Sequence, residues 1–255
     1  MFGGPATWAV KKIIVANIIV FVLQKLSVLL GIGIIKLYDG QYPLNVPILE
    51  YFLGLNPDLI TQKFMLWQFG TYMFLHGGVF HILINMLMLY MFGNELERLW
   101  GTRRFLKYYF ITGIGAGVCS WIVGIHNPAI TIGASGAIYG LLLAYGITYP
   151  NRIVYLNFLF PIKVKWMVLI MGAVAFYSSI VSSISGTKTG IAHIAHLGGM
   201  LIGYVYLKGG SWQSVYRDFE ARRQREKLKK QFEVYYGEVR RKIEEDKDKK
   251  GPTIH

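Results

Sequence analysis

Five side chains in this sequence have the chemistry of an acyl-transfer site. Ser135 stands in the stretch Thr131-Ile-Gly-Ala-Ser-Gly-Ala-Ile-Tyr-Gly140, between two glycines and at the entrance to a long apolar run. A serine hydroxyl is a weak nucleophile until a base takes its proton. His193 and His196, far along the chain in another apolar run, are candidates for that base. A tetrahedral intermediate also needs hydrogen-bond donors at its oxyanion. His81 and Asn85, four residues apart and so on one helix face, offer two. The backbone N–H of Ser135 at a helix N-terminus offers a third. A Ser-His-Asp triad needs a carboxylate. Between Arg98 and Arg217 the chain contains no Asp or Glu. A Ser-His dyad is what remains.

The elements that carry these residues are membrane spans. Of 255 residues, 53% are hydrophobic and 16% charged, against about 25% charged in an average soluble domain. Six apolar segments approach the roughly 20 residues a spanning helix needs. They run from about Ile13 to Ile34, Tyr72 to Phe92, Leu106 to Ile125, Gly133 to Pro150, Trp166 to Ile184 and Gly190 to Leu207. The net charge of +13 would suit nucleic acid. The basic residues, however, sit at the ends of apolar runs and in the tail, so no nucleic-acid partner is expected. Arg98, Arg103, Arg104 and Lys107 follow the second span, and Arg152, Lys163 and Lys165 follow the fourth. The positive-inside rule then puts both termini in the cytoplasm, in a multi-pass protein of the plasma membrane.

The first connection, roughly Lys36 to Thr71, is long and aromatic, with Tyr51, Phe52, Phe64, Trp67 and Phe69 among its rings. Short helices lying in the outer interface are expected there. The expected domains are therefore residues 1–207, a membrane domain, and 208–255, a basic amphipathic cytoplasmic tail. In the tail Trp212, Val215, Phe219, Leu228, Phe232, Tyr236, Val239 and Ile243 fall at mostly helical spacing among Arg and Lys. Lys11 and Lys12 precede the first apolar run without a small-x-small cleavage site, which reads as a retained span. Cys119 is a lone cysteine. His-Glu-x-x-His is absent, so neither metal nor cofactor is expected.

The candidate residues also share a depth. Ser135 lies fifteen residues before Pro150, His196 twelve before Lys208 and His81 fourteen before Glu95. At about 1.5 Å rise per residue, each stands roughly 18–22 Å above the cytoplasmic end of its span. In a hydrocarbon core about 30 Å thick, that is one layer roughly 10 Å below the outer surface. Gly133, Gly136 and Gly140 in the fourth span, with Gly199 and Gly203 in the sixth, are small residues at helical spacing. Such positions let two helices approach closely in lipid, which would bring Ser135 to His196.

With these motifs in place, residues 10 to 207 resemble the rhomboid intramembrane serine proteases of the six-span prokaryotic type. The resemblance rests on Gly133-Ala-Ser135-Gly136, on His81-xxx-Asn85 and on His196-xx-Gly199-xxx-Gly203. It implies an all-α membrane protein, a six-helix bundle with an interfacial first loop. It implies Ser135 as nucleophile, His196 as general base, and His81 and Asn85 lining the oxyanion hole. Tyr139 matches a residue that stacks on the catalytic histidine, and Glu97 with Gly101 matches a structural motif. Trp67 matches the tryptophan of a Trp-Arg motif whose arginine is here Gln68. The family implies cleavage of other proteins' transmembrane segments near their outer ends, without metal or cofactor. The partners expected are transmembrane substrates and the bilayer itself.

Other histidines carry blander readings. His193 departs from the motif position and reads as structural, His76 as a loop hydrogen-bonder and His126 as an exposed loop residue. Gly113, Gly115 and Gly117 read as packing. The uncharged third connection is expected to cap the serine, with the first loop and the fifth span as the gate. A transporter would show intramembrane charges or an internal repeat, and neither is found. The remaining alternative is a catalytically inactive rhomboid-like protein that binds membrane proteins without cutting them.

Overall fold

The computed structural model of the chain describes residues 4–38, 43–125, 129–156, 160–184 and 190–209, with 228, 231–233, 235–238, 240 and 241 in the tail. It divides into two compact units, Met1–Lys208 and Gly209–His255. In the second unit the described residues are helical, with Leu228, Phe232, Tyr235 and Tyr236 exposed. Trp212, Val215, Phe219, Val239 and Ile243 lie outside the described residues.

The first unit is built of helices. Helix α1 (Trp8–Leu29) leads into a two-stranded antiparallel hairpin, β1 (Ile34–Tyr38) and β2 (Pro43–Pro47), in the register Ile34 opposite Pro47. Three short helices follow: α2 (Ile48–Leu53), α3 (Pro57–Lys63) and α4 (Gln68–Thr71). Asn56 caps α3 by accepting from the N–H groups of Asp58 and Leu59, and Pro57 occupies the first turn, where its missing N–H is harmless. After a 3-10 turn (Tyr72–Phe74), α5 (Val79–Met88) runs through a π-helical turn (Leu89–Gly93) into α6 (Asn94–Trp100). Then come α7 (Thr102–Gly124), α8 (Ser135–Thr148), a second hairpin of β3 (Ile153–Leu156) and β4 (Phe160–Lys163), α9 (Val164–Ile184) and α10 (Gly190–Lys208).

Among the described residues four helices are long and apolar enough to cross a membrane: Trp8–Leu29, Val79–Trp100, Thr102–Gly124 and Val164–Ser182. Their outward faces carry exposed apolar side chains, such as Ile19 and Val22 on α1, Phe80 and Leu83 on α5, and Leu169 and Phe176 on α9. In water such faces would be costly. Against lipid tails they need no partner. The buried centre is α8, where Gly136, Ala137, Gly140, Leu141, Ala144 and Tyr145 are covered by α7, α9 and α10. A buried carboxylate beside the start of α1 is paired internally, as hydrocarbon demands. The Glu97 carboxylate accepts from the N–H groups of Ala9 and Val10, both at 3.0 Å, and from the hydroxyls of Thr7 and Thr102. An anion there satisfies orphan donors at the start of α1 and meets the positive end of its dipole.

The structure corrects several expectations. The first apolar helix spans Trp8–Leu29, ending before Ile34, because Gly31 and Gly33 adopt positive φ and break it. The second begins at Val79 and not at Tyr72, since Gly77-Gly78 separates it from the 3-10 turn. It runs on to Trp100 through the π-turn. The first connection contains a β-hairpin as well as short helices. The fourth connection also forms a hairpin.

Candidate active site

Helix α8 starts on Ser135 itself, after Gly133 at φ +125°, a conformation that side chains rarely adopt. The stretch before it is held from both sides. Thr131 pairs with Leu55 in an isolated antiparallel bridge, and the Gly133 N–H donates to the Tyr72 carbonyl at 2.9 Å. The Tyr72 hydroxyl in turn donates to the Gly113 carbonyl on α7 at 2.7 Å. Ser135 is thereby delivered to one place by the first connection and by α7.

Helix α10 brings His196 to it. A Cβ on Gly199 would run into the carbonyl oxygen of Gly136, and one on Gly203 would meet the Tyr108 hydroxyl. The absence of those carbons is what lets α8 and α10 lie backbone to backbone. The result is a 2.7 Å contact between His196 Nε2 and Ser135 Oγ. The Tyr139 ring lies flat on the His196 ring, 4.3 Å between centroids and 1° between planes. With Nε2 accepting the serine O–H, a neutral imidazole carries its proton on Nδ1.

His81 approaches from α5. Its Nε2 lies 2.8 Å from the point where a Gly133 Cβ would stand, and Ser135 Oγ lies 3.7 Å from that same point. The two atoms are therefore within about 6.5 Å of each other. Asn85 is buried one turn further along, and its Nδ2 donates to the His81 carbonyl at 2.7 Å. One of its two amide protons is committed to its own helix. The sequence-predicted residues thus divide. Ser135, His196 and Tyr139 are in mutual contact, His81 borders them, and Asn85 is tied to His81.

His193 is half-buried and lies edge-on to His196 at 6.0 Å. His76 is fully buried and packs edge-on against His81 at 5.0 Å, with neither ring nitrogen hydrogen-bonded. It is the His76 backbone that bonds, its N–H donating to Gln24 Oε1 at 3.0 Å. His126 lies outside the described residues. Among the described residues no three His, Cys, Asp or Glu side chains gather as a metal site requires.

Gln68 takes over a structural role in the first connection. It is 0% exposed. Its Oε1 accepts from the Asn56 N–H at 2.9 Å, and its Nε2 donates to the Tyr51 and Phe52 carbonyls at 3.1 and 3.4 Å. Trp67 Nε1 adds a 2.8 Å bond to the same Phe52 carbonyl. A neutral amide supplies both donor and acceptor without burying a charge. A lone glutamine in the first apolar run, Gln24, is a sequence signal of the intramembrane polar kind, whereas the backbone roles of Tyr72 and Gly77 leave no such signal.

Apolar helices of spanning length, gathered about a half-buried serine and histidine, define a multi-pass membrane protein with a polar site inside its helical bundle. The family model described as Rhomboid domain matches residues 63–212, and the chain belongs to the rhomboid family. It is similar to RHOMBOID-like protein 1 of Arabidopsis thaliana, 30% identical over 219 residues, 78% of this chain and 53% of that protein. The similarity to the mitochondrial Rhomboid protein 1 of Saccharomyces cerevisiae is 29% over 182 residues, 70% of this chain and 51% of the relative. A chloroplastic Rhomboid-like protein 11 of Arabidopsis thaliana is 31% identical over 170 residues, 60% of this chain and 55% of its own. The chain spans about half the length of these curated relatives.

Proposed function

We propose that the chain is an intramembrane serine endopeptidase that cuts transmembrane segments of other membrane proteins near their outer ends. The observation that carries this reading is the 2.7 Å contact of His196 Nε2 with Ser135 Oγ, under the stacked ring of Tyr139. His196 takes the serine proton as Oγ attacks the scissile carbonyl, and later gives it to the leaving amine. The oxyanion is met by His81 Nε2–H, the free amide proton of Asn85 and the Ser135 N–H at the start of α8. Water then hydrolyses the acyl-enzyme. Gly133 and Gly136 leave room at the serine, while Gly199 and Gly203 hold the base against it. No cofactor is needed by this chemistry.

The membrane geometry fits the same reading. We take six spans: α1, the continuous α5–α6, α7, α8, α9 and α10. Helix α8, at 14 residues, is only about 21 Å long, short of a hydrocarbon core of about 30 Å. A polypeptide of that length puts Ser135 inside the bilayer when Thr148 is at the cytoplasmic edge. The short helices and hairpin of the first connection then lie in the outer interface. The basic connections put both termini in the cytoplasm, in the plasma membrane. Two relatives carry organellar names, mitochondrial and chloroplastic.

A serine-directed fluorophosphonate should label the detergent-solubilised protein at Ser135, and should not label His196→Ala. Equal labelling of both would sink the dyad. Cleavage of a single-span model substrate in vesicles should vanish in Ser135→Ala. Binding of that substrate without cleavage by the wild-type chain would favour the non-cleaving, rhomboid-like alternative.

A further inference from the structure

Gln24 is a polar side chain at 0% exposure within the apolar helix α1, a placement that is costly in lipid unless it serves something. We propose that Gln24 is a positioning residue that sets which nitrogen of His81 carries the proton. This rests on the reading of His81 as an oxyanion donor.

The link runs through one peptide group. Gln24 Oε1 accepts from the His76 N–H at 3.0 Å. Gln24 Nε2 donates to Glu50 Oε1 at 2.9 Å and reaches the His76 carbonyl at 3.5 Å. A carboxylate only accepts, so Glu50 fixes the amide with its nitrogen on that side and its oxygen toward His76. The next residue, Lys25, donates from Nζ to the Gly77 carbonyl at 3.4 Å. Between these two grips lies the His76–Gly77 peptide. Its carbonyl faces Gln24, and its N–H donates to His81 Nδ1 at 3.3 Å. The peptide is planar, so its C=O and N–H turn together. Rotation of that unit would lose both contacts.

The consequence falls on the far side of the imidazole. With Nδ1 accepting from Gly77, neutral His81 carries its proton on Nε2. Nε2 is the nitrogen that borders Gly133 and Ser135. The His76 ring, edge-on at 5.0 Å, limits the swing of the imidazole. The donor is thus aimed before substrate arrives, as electrostatic stabilisation of an oxyanion requires. The neighbouring groups divide the work: Glu50 orients the amide, Gln24 and Lys25 hold the peptide, and Gly77 reads out to His81.

The test is nitrogen NMR of the full-length protein in detergent, with 15N-labelled histidine and the His81 signals assigned from a His81→Gln variant. Wild type should show His81 as the Nε2–H tautomer at neutral pH. Gln24→Met, similar in length but without hydrogen bonds, should mix the tautomers. It should also lower kcat about 5-fold, the worth of one neutral hydrogen bond, with KM nearly unchanged. A wild-type His81 protonated on Nδ1 overturns the proposal without any variant. So does an unmixed Nε2–H signal in folded Gln24→Met, whereas mixing without a change in kcat overturns the oxyanion role of His81 and leaves the positioning by Gln24 standing. If wild type cleaves nothing yet shows the tautomer shift, the protease reading fails while the positioning device stands.

Discussion

The sharpest perturbation is one methyl group at Gly199. In Gly199→Ala the new Cβ would stand 2.8 Å from the carbonyl carbon of Gly136 and 3.3 Å from its Cα, besides striking the carbonyl oxygen. Ordinary contact begins near 3.4 Å, and the obstacle is backbone, which cannot rotate aside as a side chain can. Helices α8 and α10 must therefore separate by at least about 0.6 Å at this crossing. Ser135 is the neighbour of Gly136, and His196 lies one turn before Gly199. The same separation would stretch their 2.7 Å contact to at least about 3.3 Å, past good hydrogen-bond length. Overpacking of this kind costs about 1–3 kcal/mol of stability, and a misplacement near 1 Å costs about 100-fold in rate. The expected outcome is a fall in kcat/KM of roughly 10- to 100-fold, together with lower thermal stability in detergent. Cleavage of a single-span substrate in vesicles and a melting curve measure the two effects. Full activity with an unchanged melting curve would falsify the close-packing account of the dyad.

Three further outcomes follow from contacts outside that crossing. Tyr139→Ala removes the ring stacked on His196, worth about 0.5–1.5 kcal/mol. Fluorophosphonate labelling should slow severalfold, and Tyr139→Phe, which keeps the stack, should restore it. Gln68→Leu keeps the volume but strands the Asn56 N–H and Tyr51 carbonyl, so thermal unfolding should show a loss of about 1–3 kcal/mol. An unaltered stability would mean that the amide is not holding the first connection. Glu97→Gln turns an acceptor oxygen into a donor facing other donors. Stability should drop by roughly 1.5–3 kcal/mol, while labelling of Ser135 in the folded fraction stays at the wild-type rate.

Much of the site was legible because lipid leaves so little ambiguity. A polar side chain inside an apolar run must be paired or functional, so Ser135, His81, Asn85 and His196 stand out from sequence alone. The glycine spacing in the fourth and sixth runs foretold that two helices meet, since in lipid only small residues allow backbones to touch. The element ends were less legible. The second helix gains its extra length through a π-turn that no hydropathy pattern marks, and the hairpin at Ile34–Tyr38 hides in residues apolar enough to continue a span. Backbone-mediated links were not legible at all. Nothing in the spacing of Gln24, Gly77 and His81 says that one peptide group joins them.

The sequence by itself determined the class of protein, the residues able to do acyl transfer and the absence of a carboxylate among the spans that carry Ser135 and His196. Those follow from composition and residue type, which are local properties of the chain. The resemblance implied His196 as the base, and the tertiary structure supplied the physical reason why it, and not His193, reaches the serine. His193 and His196 are three residues apart on one helix, and choosing between them from the residues alone needs the rotation of α10 about its axis. That rotation is set by Gly199 and Gly203 lying against Gly136, Gly140 and Tyr108. It turns His196 under Tyr139 and onto Ser135, and leaves His193 at the edge.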